Sequence, residues 1–190
     1  MTPPSIPLSV IKIGGGLAAV PGALDRVCRV VGASGCAHRI LVVPGGGLFA
    51  DTVRWFDRAM GVSPGAAHWM AILAMDQYAH VLAERIPGAV LIEEPGALLQ
   101  ALPSSGVAVL APYRWMRAAD VLPHSWEVTS DSIAAFVAGA LDAIRLILIK
   151  PSTQLKDPVD PCFSATLPAG MPYSIMGWDR IDELPTRLSG

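Results

Sequence analysis

Charge is scarce in this chain. Asp, Glu, Lys and Arg supply only 16% of its 190 residues, the net charge is −2, and basic residues occur singly rather than in runs. This excludes the electrostatic footprint of a nucleic-acid binder or a membrane-surface protein. Cysteine is scarce as well: Cys28, Cys36 and Cys162 are odd in number and have no C-x-x-C spacing. Thiols kept reduced in the cytoplasm fit this better than a disulfide framework or a zinc site, so no protein-held metal is expected. The uncharged stretch 95–113 is broken by Pro103, Ser104, Ser105 and Gly106, so it does not read as a membrane span. Thr2-Pro3-Pro4-Ser5 lacks the positive flank and apolar core of a signal peptide. No G-K-[ST] occurs anywhere, which excludes a P-loop.

Apolar residues, at 52%, are abundant enough for a substantial core. With so few charges to cover the outside, part of the surplus is expected at a homo-oligomer interface. The chain is read as one domain over 1–190, with an acceptor-side part at about 1–125 and a shortened nucleotide-side part at about 126–190.

Two glycine clusters organise what is present. Val10-Ile11-Lys12-Ile13 runs into Gly14-Gly15-Gly16, and Leu41-Val42-Val43-Pro44 runs into Gly45-Gly46-Gly47. Each is a short apolar strand stopped by glycines and followed by helical spacing. Glycine lets backbone N–H groups crowd round an anion at a helix start, where the helix dipole favours negative charge. Lys12 lies two residues before the first cluster and is expected to project a cation toward that anion. Gly14, Gly16 and Ala19 fit a dinucleotide pattern, but the second strand ends in Pro44 and glycines where that pattern needs an acidic residue.

Helices are expected from Pro21-Gly22 onward, with Leu24, Val27, Val30 and Val31 inward, and over 48–60, with Leu48, Phe49, Val53, Phe56 and Met60 inward. Asp51, Arg54, Asp57 and Arg58 then face away from the core, as a solvated surface or, near the glycines, as ligands. Ser63-Pro64 opens the longest helix, to about Arg85, a cap and first-turn pair in the usual order. It carries a stripe of His68, Ile72, Met75, Ala79 and Leu82 beside a second of Trp69, Leu73, Asp76, His80 and Glu84. Two such stripes predict burial on two sides, with Asp76 in need of a polar partner. His68 reads either as a hydrogen-bonded core histidine or as a ligand. Strands follow at 88–92 and 106–111, joined by a short helix at 97–102. The aperiodic 113–126 reads as an active-site loop, Thr129-Ser130 as the cap of a helix to Asp142, and 145–150 as a buried strand. A proline-punctuated segment, 151–172, precedes a last strand at 173–176 and a short helix after Asp179. Alternating strand and helix predicts an α/β, three-layer αβα sandwich with a mainly parallel sheet.

Lys12-x-Gly14-Gly15-Gly16, Pro44-Gly45-Gly46-Gly47 and Thr129-Ser130-Asp131-Ser132-x-Ala134-Ala135, before a strand ending at Lys150, together resemble the amino-acid kinase superfamily. Within it, His68-Trp69-Met70-Ala71 through Met75-Asp76-Gln77, and Gly47-x-Phe49-Ala50-Asp51, look most like the aminomethylfuran phosphate kinases of methanofuran biosynthesis. The resemblance implies ATP-dependent phosphoryl transfer with Mg²⁺ on the nucleotide phosphates. The implied acceptor is a small phosphorylated amine, [5-(aminomethyl)furan-3-yl]methyl phosphate, with uridylate as the alternative.

Lys12, Asp131 and Lys150 would be catalytic, the lysines stabilising the transferred group and Asp131 orienting them. Lys150 is preferred to Lys156 as second lysine because a strand end is the more rigid mount. Gly14, Gly15, Gly16, Gly45, Gly46, Gly47 and Lys156 would hold phosphates. Asp51 or Asp76 would meet the acceptor ammonium, Arg54 its phosphate, and His68 and Trp69 its ring. Two departures from the superfamily stand out: Gly16 replaces a usual serine, and Pro151-Ser152-Thr153-Gln154-Leu155-Lys156 replaces its Thr-Asp-x-x-Gly-Val turn. They leave room for a non-catalytic nucleotide-binding or oxyanion-storage subunit.

Overall fold

The computed structural model describes residues 7–102, 105–154 and 156–190. The readings made above at 2–5, Pro103, Ser104 and Leu155 lie outside them. The strands are β1 (Leu8–Ile13), β2 (Arg39–Pro44), β3 (Val90–Ile92), β4 (Gly106–Leu110), β5 (Arg145–Lys150) and β6 (Tyr173–Gly177). They form one sheet in the order β3-β4-β2-β1-β5-β6, and every pairing is parallel. The chain therefore builds outward from β1 in one direction through β2, then returns to its other side with β5. A ligand crevice is expected at such a reversal, beyond the carboxyl ends of β1 and β5.

The helices are α1 (Ala23–Ser34), α2 (Gly47–Met60), α3 (Pro64–Arg85), α4 (Leu98–Ala101), α5 (Tyr113–Ala119), α6 (Ser130–Ala140), α7 (Phe163–Thr166) and α8 (Leu184–Ser189). Three 3-10 turns, Gly15–Ala19, Pro95–Ala97 and Trp178–Glu183, complete the elements among the described residues. Strand alternation sorts the core into two layers. Ile11, Ile13, Ile147 and Ile149 face α1 and α8, whereas Val10, Leu146 and Leu148 face α6 and α4. Lys12 and Lys150 occupy the second set of positions, at the last turns of the pleat, so both ammonium groups emerge on the α6 side.

Three expectations need correction. The inward face of α2 is Ala50 and Val53, packed with Ala74 of α3, while Leu48, Phe49, Phe56 and Met60 are exposed. Small residues at that contact let the two helices approach closely, which turns the larger side chains outward. On α3 the first stripe is buried as expected, and its apolar members divide between the two core layers. Of the second stripe, however, Leu73, His80 and Glu84 are exposed, and Ala67, Ala74 and Tyr78 fill the other buried positions. Finally, 113–126 begins as helix α5, and only the remainder is loop. Ser63 caps α3 as read, accepting the Ala66 N–H at 3.2 Å. Among the described residues no helix is long and apolar enough to cross a membrane.

The glycine clusters press on each other. Gly45 donates to the Ile13 carbonyl at 2.8 Å and Gly14 to that of Ile149 at 2.9 Å, which extends the sheet pairing past the strand ends. A methyl group on Gly15 would collide with the backbone of Gly47, and one on Gly45 with the backbone of Gly15. Gly15→Ala is accordingly expected to destabilise the protein by about 1–3 kcal/mol through overpacking. Chemical denaturation measures it, and a parental midpoint would show that the loops do not bear on each other.

Candidate active site

Asp131 stands in the first turn of α6, above the ends of β1 and β5. Lys12 and Lys150 flank it. Lys150 Nζ donates to Asp131 Oδ2 at 2.6 Å, and Lys12 Nζ lies 2.9 Å from Oδ1 in an ion pair that is not aligned as a hydrogen bond. All three are buried. Burial pushes the Lys12 ammonium below its ordinary value and the neighbouring Lys150 charge acts the same way, against the opposing pull of Asp131. Burial alone would raise the Asp131 carboxyl, but Lys12 and Lys150 together outweigh it and hold the group below its ordinary value. The trio thus carries two cations and one anion in a nearly dry place. Its surplus positive charge is a demand for an anionic ligand.

The trio lies at the floor of a cleft of about 650 Å³. Gly15 and Gly16, at the start of the 3-10 turn, and Gly46 and Gly47, at the start of α2, line it. Helix starts leave N–H groups without intrahelical acceptors, so these four can present donors to phosphate oxygens. Gly14 and Gly45 do not line the cleft, because their N–H groups are bound into the sheet. Lys156 is exposed and lies outside it too. The structure therefore brings Lys150, and not Lys156, to Asp131.

One wall is formed by α2 and the loop 120–129. Asp51 pairs with Arg54 at 2.8 Å. The Arg54 guanidinium lies 5.0 Å from the Trp126 ring centroid, and the Trp126 indole N–H donates to Asp57 at 2.6 Å. Two carboxylates and one guanidinium leave this wall with a negative balance. On the same loop, His124 stacks on His68 of α3 with centroids 4.4 Å apart and meets Asp120 at 2.8 Å. Burial pushes the His68 imidazole down to about 4, helped by the neighbouring His124, so it is neutral at physiological pH.

Two residues expected to meet the acceptor, Trp69 and Asp76, do not line this cleft. Trp69 is enclosed by His68 and His124 and by the Arg117 guanidinium 4.6 Å from its ring. Asp76 accepts the Tyr113 N–H at 2.9 Å and faces a separate groove with Glu93, Arg114 and Arg117. It is the polar partner for the start of α5. His124, Trp126 and Asp57 take the places at the cleft instead. The first two lie in the aperiodic stretch 113–126 that the sequence marks as an active-site loop, whereas Asp57 resembled any solvated helix charge.

A buried lysine–carboxylate–lysine trio at the reversal point of a parallel sheet, opening onto two glycine-rich helix starts, defines an anion-handling α/β protein. Residues 7–153 match the amino acid kinase family, and the chain belongs to that family. The [5-(aminomethyl)furan-3-yl]methyl phosphate kinase of Methanocaldococcus jannaschii is 30% identical over 141 residues, a match covering 74% of this chain and 64% of that protein. Two solved structures share the fold. Uridylate kinase from Archaeoglobus fulgidus superposes with a TM-score of 0.59 at 18% identity, over 77% of this chain and 64% of its own. UMP kinase from Bacillus anthracis gives 0.65 at 11% identity, over 98% and 93%.

The neutral His68 has a consequence for stability. Its folded value of about 4 lies below its unpaired value of 6.5, so the unfolded chain binds the extra proton first. Stability is expected to fall as pH drops from 6.5 to about 4, and His68→Asn should flatten that part of the curve. Denaturation at a series of pH values checks it. An unchanged slope in the variant would assign the dependence to other groups.

Proposed function

We propose that the chain is an ATP-dependent phosphotransferase acting on a small phosphorylated acceptor in the cytoplasm, with [5-(aminomethyl)furan-3-yl]methyl phosphate the best candidate. The observation that carries this reading is the buried trio of Lys12, Asp131 and Lys150 beside two glycine-rich helix starts. Phosphoryl transfer needs positioning and stabilisation of charge on the transferred group, and little covalent chemistry from the protein. Lys12 and Lys150, steadied by one carboxylate, meet the equatorial oxygens and the bridging oxygen of the departing phosphate. Gly15, Gly16, Gly46 and Gly47 offer backbone donors to the flanking phosphates. A protein that only stores an anion needs the donors but has little need of a carboxylate buried between two lysines.

Among the described residues, no three His, Cys, Asp or Glu side chains are arranged to hold a metal ion. In this reading Mg²⁺ would come with the nucleotide, as a counter-ion on its phosphates, and the steps assigned here are those of the protein's own groups.

The acceptor assignment draws on the wall chemistry. Asp51 and Asp57, with Arg54 between them, favour a ligand bearing an ammonium group. The stacked His68–His124 pair, held neutral at His68, gives a flat face for a ring. Uridylate has no ammonium for the two carboxylates to meet. The reading also includes a homo-oligomer, supported by the exposed Leu48, Trp55 and Met60 of α2, and a reducing compartment, supported by three free thiols.

Lys150→Ala is expected to lower the transfer rate by on the order of a hundredfold or more while Lys156→Ala leaves it near parental. Steady-state kinetics with Mg-ATP distinguishes the two, and the reverse ranking would move the second catalytic lysine to the loop. With parental protein, product formation from the furan phosphate should exceed that from uridylate. Turnover of uridylate with none of the furan compound would remove the acceptor assignment and leave the phosphotransferase standing.

A further inference from the structure

The buried carboxylate of Asp160 has no part in the chemistry above. It lies in the proline-punctuated segment after β5, beyond the residues matched by the family model. Five donors converge on it. Its Oδ2 accepts the Thr129 N–H at 3.1 Å, the Thr129 hydroxyl at 2.7 Å and the Ser132 N–H at 3.0 Å. Its Oδ1 accepts the Cys162 N–H at 3.1 Å and the Ser132 hydroxyl. Two of the backbone donors belong to the cap and first turn of α6, where N–H groups otherwise lack acceptors. Thr129 is also the N-cap of α6, and its hydroxyl oxygen accepts the Asp131 N–H at 3.4 Å. A continuous chain of hydrogen bonds therefore runs from Asp160 through Thr129 to the backbone of Asp131, whose side chain spans the two lysines.

We infer that Asp160 is a positioning residue of the site: by clasping Thr129 and Ser132 it fixes the first turn of α6 and so holds the Asp131 carboxylate between Lys12 and Lys150. Ser132 is fully buried and its hydroxyl is committed to Asp160, so the clasp is not a solvent-exposed cap exchanging with water. Within the segment 151–172, this carboxylate is what hydrogen-bonds to the cap and first turn of α6. Loosening it would let Asp131 drift relative to the strand-mounted lysines without altering the glycine donors. An error on that scale costs rate more than affinity. Asp160 also acts on Lys12 directly, since its negative charge raises the ammonium against the effects of burial and Lys150, alongside the larger pull of Asp131.

The kinetic arm of the test rests on the phosphotransferase reading; the titration arm does not. Asp160→Asn keeps the shape but turns an amide toward groups that are all donors. The expected result is a fall of about 10- to 100-fold in kcat with KM for nucleotide and acceptor near parental. In an Asp131→Asn background the same change should have a clearly smaller effect, because the positioning acts through that residue and only the weaker direct charge effect on Lys12 remains. In protein without nucleotide, the Lys12 side chain, followed by carbon-labelled NMR, should titrate at lower pH in Asp160→Asn than in the parent. Thr129→Val breaks the chain at its middle link and serves if Asp160→Asn does not fold. It should give the same kcat-selective loss, smaller in size.

A parental kcat in the variant overturns the inference. So does a loss that multiplies in full on Asp131→Asn, or a Lys12 titration that does not move in Asp160→Asn. If the parental protein transfers no phosphoryl group to any acceptor, the phosphotransferase reading fails, and the Lys12 titration decides the role of Asp160 by itself.

Discussion

A carboxylate buried between two ammonium groups is the constraint on which the rest of this molecule depends. Lys12 and Lys150 sit on adjacent parallel strands with the same side-chain parity, so their charges necessarily emerge together on one face of the sheet. Without Asp131 they would repel each other in a site where water cannot screen them. With it, the assembly is stable enough to fold yet keeps one positive charge uncompensated. The fold supplies the geometry through its reversal at β1: the first strand lies between its successor and a strand formed more than a hundred residues later in the chain. The helix that caps this junction carries the carboxylate in its first turn.

The glycine loops follow from the same crowding. The loops after β1 and β2 lie against one another, so side chains at Gly15 and Gly45 are excluded by backbone, and Gly47 takes a left-handed conformation with φ of 54°. The two departures from the superfamily pattern also meet in space. A Cβ on Gly16 would stand 3.3 Å from the ring of Pro151. The proline that opens the segment after β5 occupies the space beside that position, so a bare glycine and an altered turn belong to one local arrangement.

Much of this was legible in the sequence because it is local. Strands that stop at glycines, the Ser63-Pro64 helix start and the Thr129 cap are set by neighbouring residues, and the structure has each of them. The pairing of Lys12 with Asp131 and Lys150 was readable only through resemblance, since three residues so far apart in the chain declare no common location by spacing. Other features were hidden for physical reasons. The α2 pattern points its large apolar groups inward, but helix-to-helix approach through Ala50 and Ala74 keeps only Val53 of them inside. Asp76 looks like a free carboxylate until α5, too short to show a period, places the Tyr113 N–H upon it. Trp69 looks available for stacking until His124 returns across it from a loop with no periodicity. Asp160, in a proline-rich stretch, carries no pattern at all, and its importance comes entirely from which backbone donors the fold brings to it.

In the proposed function Asp131 serves the two lysines and is not merely the acidic residue of a helix start. Single-turnover phosphoryl transfer by Asp131→Asn, beside nucleotide affinity measured on the same preparation, tests this most directly. The amide retains the size of the side chain and removes its charge, leaving two buried lysines without a common partner. Loss of the chemical step by on the order of a hundredfold, with nucleotide binding largely kept, is the predicted result. An Asp131→Asn protein that folds and transfers phosphate at the parental rate would contradict it.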